Sequence, residues 1–319
     1  MRRFALILFV AFELCYYLLI IQTGVVEYFS SDLAVIFVLP LGGVIGSLLS
    51  FYVKTSNENK IAVFLSLQLI VSFFYPNVSQ VSLFVLGVSS GAIAPLMINE
   101  LKKAQTIDIG AALGVSYAVG TLLFNYDVSQ RGGLAVAFTL IVLISSRFLP
   151  KMAVEDANGD SHSLALMMVW IFLDSALFET LSRDAYIPIW RLGFSYEIVL
   201  FHLLGVAMAL AVDLSKRRKE TLILILFALS YAAYFFKEAA LLSAIYPIAI
   251  SYYNVAILRT LMKKDLKTIG IYMVFTAWLA SGAGLFVALN ALIGFVPIAL
   301  LSLGTFDKRY FKKMETRNV

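Results

Sequence analysis

Two carboxylates stand near the middle of long apolar stretches of the chain. Asp174 lies within Leu164 to Arg183, LALMMVWIFLDSALFETLSR, and Glu13 lies within Leu6 to Gln22, LILFVAFELCYYLLIIQ. A charge at the centre of a bilayer costs about 3 kcal/mol unless it faces a polar cavity, a partner or a proton. Because burial favours the neutral form of a carboxyl group, such acids can take up and release protons, and we expect the chemistry here. The structural alternative is that a neighbouring tyrosine, serine or backbone group satisfies each acid.

The composition excludes a soluble domain. Hydrophobic residues make up 61% of the 319 residues, charged residues only 14%, and the mean hydropathy is +0.89, which is typical of a polytopic membrane protein. The formal charge of +5 comes from short basic clusters at intervals along the chain, as the positive-inside rule predicts, and does not indicate a nucleic-acid partner. The single cysteine excludes an internal disulfide. Arg2 and Arg3 lead directly into the first apolar run, which we interpret as a span and not as a signal peptide.

Twelve apolar runs predict twelve transmembrane helices in an all-α protein. They cover approximately residues 4–22, 32–53, 61–75, 81–100, 109–125, 132–149, 164–183, 196–214, 221–236, 239–258, 268–289 and 291–306. Basic residues concentrate in alternate loops, in one of which Lys216, Arg217, Arg218 and Lys219 follow one another. This bias predicts a multi-pass protein of the inner or plasma membrane with both termini in the cytoplasm.

The chain shows signs of an internal repeat. Glu13 and Asp174 are 161 positions apart, and so are the pairs Lys102–Lys103 and Lys263–Lys264. A polar segment separates the sixth span from the seventh. We therefore predict two pseudo-symmetric six-helix bundles, 1–149 and 164–306, joined by a cytoplasmic linker, 150–163, and followed by a cytoplasmic tail, 307–319.

This organisation resembles the major facilitator superfamily, and the likeness covers nearly the whole chain. Its local support is AVDLSKRRKE between spans eight and nine, where Asp213 is followed after three residues by Arg217 and Arg218. Two departures mark the chain as a divergent, compact member: Lys216 replaces the glycine of the family, and the equivalent loop FYVKTSNENK has no aspartate. The resemblance implies a rocker-type transporter with a central site lined chiefly by spans one, four, seven and ten. It also implies that Asp213 and Arg217 form a conformational latch, whereas the plain alternative is a solvated basic loop.

Further residues are candidates for coupling or substrate binding. Glu179 lies nearer the periplasmic end of span seven, four residues before Arg183, so that a helix-face ion pair competes with a role at the outer gate. His202 is a candidate proton relay or metal ligand, with hydrogen-bonded packing as the alternative. The remaining candidates are polar or aromatic residues of spans one, ten and eleven: Tyr16, Tyr246, Tyr253, Asn254 and Trp278.

A metal site is the less favoured hypothesis. Cys15 and His202, with Met167 or Met168, could form one, but Cys15 stands two residues after Glu13, and such residues point about 200° apart on a helix. No CxxC, HxxxH or methionine-rich cluster occurs. No arginine or lysine stands near the middle of a span, which disfavours strongly anionic substrates.

The predicted function is a secondary active transporter working by alternating access, coupled to protons or another cation, for a small cationic or neutral substrate. A transition-metal ion transporter is the alternative within that class. From other classes, we consider a non-transporting membrane sensor or assembly factor, and an intramembrane enzyme. The enzyme is disfavoured because no HExxH motif occurs, and the absence of GxxxxGK[ST] argues against an ATP-driven pump. We expect a monomer in the lipid bilayer, with a small molecule or ion as substrate and no cofactor.

Overall fold

The computed structural model describes residues 2–28, 33–151, 161–184, 186–187, 189–191, 193–212 and 214–297. These residues contain eleven long helices, which correspond to the first eleven predicted spans. In chain order they are α1 (Arg2–Tyr16, continued by the π-helical Tyr17–Val25), α2 (Val38–Tyr52), α3 (Asn57–Ser72), α4 (Gln80–Leu101), α5 (Thr106–Leu122), α6 (Gly132–Ser146), α7 (Leu164–Arg183), α8 (Ser195–Ala211), α9 (Lys216–Phe235), α10 (Ala239–Met262) and α11 (Leu266–Met273, the π-helical Val274–Ala280 and Ser281–Leu289).

Some predictions fall outside these residues. Of the predicted twelfth span, 291–306, the structure describes residues 291–297, with a short 3-10 helix at Ile293–Phe295. Most of the predicted linker, all of the predicted tail and Asp213 lie outside the described part of the chain. The twelve-span count and the domain boundaries therefore stay predictions.

Helix length and composition suit a membrane. In the described residues, α1, α4, α7, α10 and α11 are long and apolar enough to cross a bilayer, and α2, α5, α6 and α8 are shorter apolar helices. Serine side chains cap three of the helices at their first turn: Ser56 accepts from the Asn59 amide before α3, Ser79 from Ser82 before α4, and Ser163 from Leu166 before α7. Each cap satisfies a backbone donor that the helix itself leaves open.

The helices of the first six and of the next five pack in the same pairs. Helix α1 packs on α5, α2 on α4, and α3 on α4. Six helices later the pairs recur, because α7 packs on α11, α8 on α10, and α9 on α10. Helices of the two sets meet where α5 packs on α8 and where α11 packs on α2 and α4.

Glycines bring α2 and α4 into backbone contact. A Cβ atom added to Gly91 would lie 2.2 Å from the carbonyl oxygen of Gly43, and one added to Gly46 would lie 2.1 Å from that of Val88. Such distances leave no room for any side chain, so the glycines allow α2 and α4 to pack closely.

We expect Gly91→Val to destabilise the protein by about 1–3 kcal/mol, because α2 and α4 must move apart to admit the new side chain. The measurement is thermal unfolding of the purified protein in detergent. Gly282→Val is the matched control, since a Cβ atom at Gly282 in α11 has no atom within 4 Å. Equal melting temperatures for the two variants would contradict the close packing.

Arg131 fixes the π-helical end of α1. Its guanidinium is 2% exposed and donates to the Leu19 carbonyl at 2.8 Å, to the Thr23 hydroxyl at 2.9 Å and to the Phe124 carbonyl at 2.7 Å. Carbonyls in a π-helical stretch lose their ordinary partners at its ends, and π segments recur at functional sites. Arg131 therefore holds the segment that carries Tyr17 and Gln22 in place.

Candidate functional site

A cavity of about 300 Å³ lies in the middle of the helices. It is lined by residues of α1, α4, α7 and α10, the helices that correspond to spans one, four, seven and ten. Residues of α5, α8 and α11 also line it. Among the sequence candidates, the cavity brings together Glu13, Asp174, His202, Tyr253, Asn254 and Trp278.

Asp174 is held by two tyrosines of α10. The Tyr253 hydroxyl donates to Oδ2 at 2.6 Å, and the Tyr246 hydroxyl donates to Oδ1 at 2.8 Å. Tyr246 is fully buried behind the carboxylate, whereas Asp174 itself is only partly buried and faces the cavity. Hydrogen bonds to a charged group are stronger than those between neutral groups, so the two hydroxyls stabilise a negative charge that remains open to the cavity.

Glu13 lies on the opposite set of helices and is held differently. It is 5% exposed, and its Oε2 accepts a hydrogen bond from Gln68 Nε2 at 3.2 Å. The same nitrogen donates to the Thr139 hydroxyl at 3.4 Å, and the fully buried Gln68 Oε1 has no partner in the described residues. Glu13 thus has one amide donor where Asp174 has two hydroxyl donors. An acid with few donors in such a place is stabilised when it binds a proton.

His202 joins α8 to α10 and α5. Its Nδ1 lies 2.8 Å from the Ser251 hydroxyl, and its ring stacks on that of Tyr117 with centroids 4.1 Å apart and planes 7° from parallel. Asn254 donates from Nδ2 to the Tyr117 hydroxyl at 3.0 Å. His202 is therefore hydrogen-bonded and packed, and it also lines the cavity. Its role as a proton relay stays a prediction.

Tyr117 of α5 and Trp278 of α11 lie where helices of the two sets pack on each other. They are 161 positions apart, the same spacing as Glu13 and Asp174. Tyr117 meets α8 through His202, and Trp278 meets α2, where its indole N–H donates to the Ser47 hydroxyl at 3.1 Å. The Trp278 ring also fills the space beside Gly43, at which a Cβ atom would lie 2.2 Å from the ring. The offset of 161 residues therefore relates two aromatic residues as well as the two acids, and each aromatic residue lies at a contact between the helix sets.

Glu179 contacts the cavity through Gln22 and does not line it. The spacing to Arg183 does give an ion pair, with Nη1 to Oε2 at 2.5 Å, and Gln22 of α1 donates from Nε2 to Oε1 at 3.1 Å. Glu179 is 3% exposed. It therefore links α7 to α1 at the end of the cavity opposite to Arg2 and Arg3, which we call the distal end.

Aromatic rings pack at the distal end. The Phe124 ring stacks on the Trp190 ring with centroids 5.0 Å apart, and Phe178 meets Trp190 edge-on at 5.1 Å. Asn125 donates from Nδ2 to the Trp190 carbonyl at 2.8 Å. Residues following α5 are thereby joined to α7 and to the segment after it.

The remaining candidates lie away from the cavity wall. Tyr16 is fully buried, and its hydroxyl is 2.9 Å from that of Ser72. Cys15 is buried with its thiol directed to the Ser116 carbonyl at 3.4 Å. Among the described residues, no group of three histidine, cysteine, aspartate or glutamate side chains could hold a metal ion. Arg217 is exposed near the start of α9, and because Asp213 is not described, the latch stays a prediction.

Comparisons with known proteins identify the fold. No protein-family model matches the chain, and no curated protein sequence matches it. Solved structures do match. The proton:xylose symporter XylE, of the major facilitator superfamily, superposes with a TM-score of 0.59 at 13% identity, over 97% of this chain and 90% of that one. The chain has the major facilitator superfamily fold.

Two further structures agree with this conclusion. The human organic anion transporter MFSD10 (TETRAN) has a TM-score of 0.59 at 12% identity and covers 92% of this chain and 93% of its own. A bacterial homologue of the iron transporter ferroportin, in an outward-facing state, has a TM-score of 0.50 at 13% identity and covers 95% of this chain and 100% of its own. Two of the three are named as transporters, and the third is named as a homologue of one. The resemblance predicted from sequence is confirmed at the level of a multi-pass, all-α membrane fold.

Several polar residues of the site were not among the candidates predicted from the sequence. Tyr17, Gln22, Ser116, Tyr117 and Ser281 line the cavity. Gln68 does not line it but holds Glu13. Gln68 and Gln22 could have been noticed as amides inside apolar runs. Tyr117 could have been found as the position 161 residues before Trp278.

Proposed function

We propose that this protein is a secondary transporter that works by alternating access and is coupled to protons or a similar cation, for a small cationic or neutral substrate. The observation that carries the proposal is the central cavity, on whose wall two acids from different helix sets, Glu13 and Asp174, stand without an arginine or lysine among the described lining residues. The transporter fold supports it. A carboxylate in such a place marks an ion or proton pathway more often than a structural contact.

We further propose that the architecture comprises two bundles of six helices, 1–149 and 164–306. The recurrence of the same helix pairs six helices later supports this division. In this arrangement the cavity lies between the bundles, both termini lie in the cytoplasm, and the distal end faces the other side of the inner or plasma membrane. In this proposal the protein acts as a monomer.

Three polar contacts join the proposed bundles at the distal end. They are Gln22 with Glu179, Asn125 with the Trp190 carbonyl, and Arg191 with Glu27 at 3.5 Å. Each of these bonds can be replaced by a bond to water when this end opens, whereas the stacked rings of Phe124 and Trp190 must separate. The opposite end is closed by apolar contacts of α5 with α8, where Gly110 faces Leu210. Alternate opening of the two ends would expose the cavity to each side in turn.

The two acids would divide the work of coupling. The hydroxyls of Tyr246 and Tyr253 donate to the Asp174 carboxylate and stabilise the charged form, which can bind a cation. Glu13, with Gln68 of α3 and Thr139 of α6 beside it, forms no hydrogen bond or ion pair with a lysine, arginine or histidine of the described chain. Glu13 is therefore the better site for a proton.

The test is transport by the purified protein in liposomes. A pH jump across the membrane, with a pH-sensitive dye inside, should produce proton flux only when a transported compound is present. The compounds are divalent metals, amines, amino acids and nucleosides, chosen first by thermal-shift screening on either side of neutral pH. Coupled transport would be contradicted if the compounds that stabilise the protein caused no proton flux and were not moved by a pH gradient.

A further inference from the structure

The charges on the cavity wall are of one sign. Among the described lining residues, the only acidic or basic side chains besides His202 are those of Glu13 and Asp174. Arg131 and Arg183 are turned to other partners, since Arg131 donates to carbonyls of α1 and of the chain after α5, and Arg183 pairs with Glu179. A buried anion would lack a compensating cation in such a cavity, whereas a cation would find two carboxylates.

The wall does not offer a ligand set for a metal ion. Transition metals prefer histidine nitrogen and cysteine sulfur, yet His202 Nδ1 is engaged with Ser251 and the Cys15 thiol is turned to the Ser116 carbonyl. Asp174 already accepts two hydroxyl hydrogen bonds on separate oxygens. Each oxygen keeps acceptor capacity, so an ammonium group can donate to Asp174 without displacing the hydroxyls. A metal ion would need further ligands, and no group of three histidine, cysteine, aspartate or glutamate side chains in the described residues provides them.

Aromatic rings form part of the cavity wall. Tyr17, Tyr117, Tyr253 and Trp278 all line the cavity, with Phe124, Phe178 and Trp190 at the distal end. Aromatic faces attract ammonium groups through the ring quadrupole and also accept an apolar ring of a ligand. A volume of about 300 Å³ is at the lower end of the range for organic ligands and too small for a lipid or a long peptide.

We propose that the substrate is a monovalent organic ammonium ion with a small aromatic or apolar body, whose charge sits at Asp174 and whose body lies among the rings. The inference rests on the transport function proposed above and names its substrate class. Tyr253 acts here as a positioning residue, because its hydroxyl fixes the carboxylate that faces the ammonium group.

Three compounds with one ring and different charges test the proposal: benzylammonium, benzyl alcohol and benzoate. Binding to the intact protein in lipid nanodiscs is measured by calorimetry, and by the fluorescence of Trp190 and Trp278 in the cavity wall. We expect benzylammonium to bind at least tenfold more tightly than benzyl alcohol, and benzoate to bind least. In Tyr253→Phe the preference for benzylammonium over benzyl alcohol should fall by about threefold or more.

Equal binding of benzylammonium and benzyl alcohol to the unaltered protein would overturn the proposal, and so would tighter binding of benzoate. This comparison needs no variant, so that a misfolded variant cannot obscure it. Transport is measured separately in liposomes. Preferential ammonium binding without proton-coupled movement would contradict the transport function but not the ligand class, whereas proton-coupled movement of a neutral solute with no ammonium preference would contradict the ligand class alone.

Discussion

Asp174→Asn is expected to reduce coupled transport by about 100-fold or more, because it removes the carboxylate that faces the cavity while leaving its surroundings intact. Truncation of one partner of a buried charge pair costs about 2–5 kcal/mol, and each 1.4 kcal/mol corresponds to a factor of ten. Asparagine can still accept a hydrogen bond from Tyr246 or Tyr253, both of which contact Asp174 in the structure. The measurement is initial transport rate in proteoliposomes, with the melting temperature recorded to show that the variant is folded.

Asp184→Asn is the matched control for this variant. Asp184 also accepts a hydrogen bond from a tyrosine, Tyr234, at 3.1 Å, but it lies after α7 and outside the cavity wall. Its replacement by asparagine should leave the transport rate within about twofold, since Asp184 lies outside the cavity wall and the asparagine oxygen can still accept from the amides of Tyr186 and Ile187. Full activity of Asp174→Asn, or an equal loss in both variants, would remove Asp174 from the proposed site.

Glu13→Gln is expected to abolish the dependence of transport on the pH gradient while binding of a cationic ligand at Asp174 persists. The proton and the cation compete, and we assume that one proton is exchanged for one ammonium ion. The apparent Kd of the unaltered protein for the ammonium ion then rises by about tenfold for each unit of pH decrease below the titration of Glu13. Glutamine does not titrate, so the Kd of the variant should depend less steeply on pH, and the slope that remains is that of Asp174 itself. Calorimetric titrations at several pH values measure this slope.

The glutamine variant keeps the local contact, because its side-chain oxygen can accept from Gln68 Nε2 as Glu13 does at 3.2 Å. Glu197→Gln provides the control, since Glu197 is an exposed acid in the first turn of α8. Should Glu13→Gln retain the full pH slope, another group carries the proton, and the division of roles between the two acids would be wrong.

Much of the fold could be predicted from local features of the sequence. Eleven predicted spans correspond to helices because an unpaired backbone group cannot be left in lipid, so that each apolar run has one stable conformation. The acids were found because a charge inside an apolar run is conspicuous. The offset of 161 residues related Glu13 to Asp174, and both line the cavity.

Which residues line the cavity depends on how the helices pack against one another. The pattern of apolar residues along the chain does not determine that packing. Glu179 and Asp174 stand five residues apart on one helix, yet Asp174 faces the cavity and Glu179 pairs with Arg183 and Gln22. The predicted set of four lining helices left out α5, α8 and α11, which contribute Tyr117, His202 and Trp278.

The sequence by itself determined the membrane class, the helical segments and the repeat that relates Glu13 to Asp174, because hydrophobic length and charge spacing are local properties of a chain in a bilayer. Only the tertiary structure decided how each acid is satisfied. Two tyrosine hydroxyls of α10 hold Asp174, and one amide of α3 holds Glu13. These partners lie 72 and 79 residues from Asp174 and 55 from Glu13 in the chain, and only the packing of separate helices brings them within hydrogen-bonding distance.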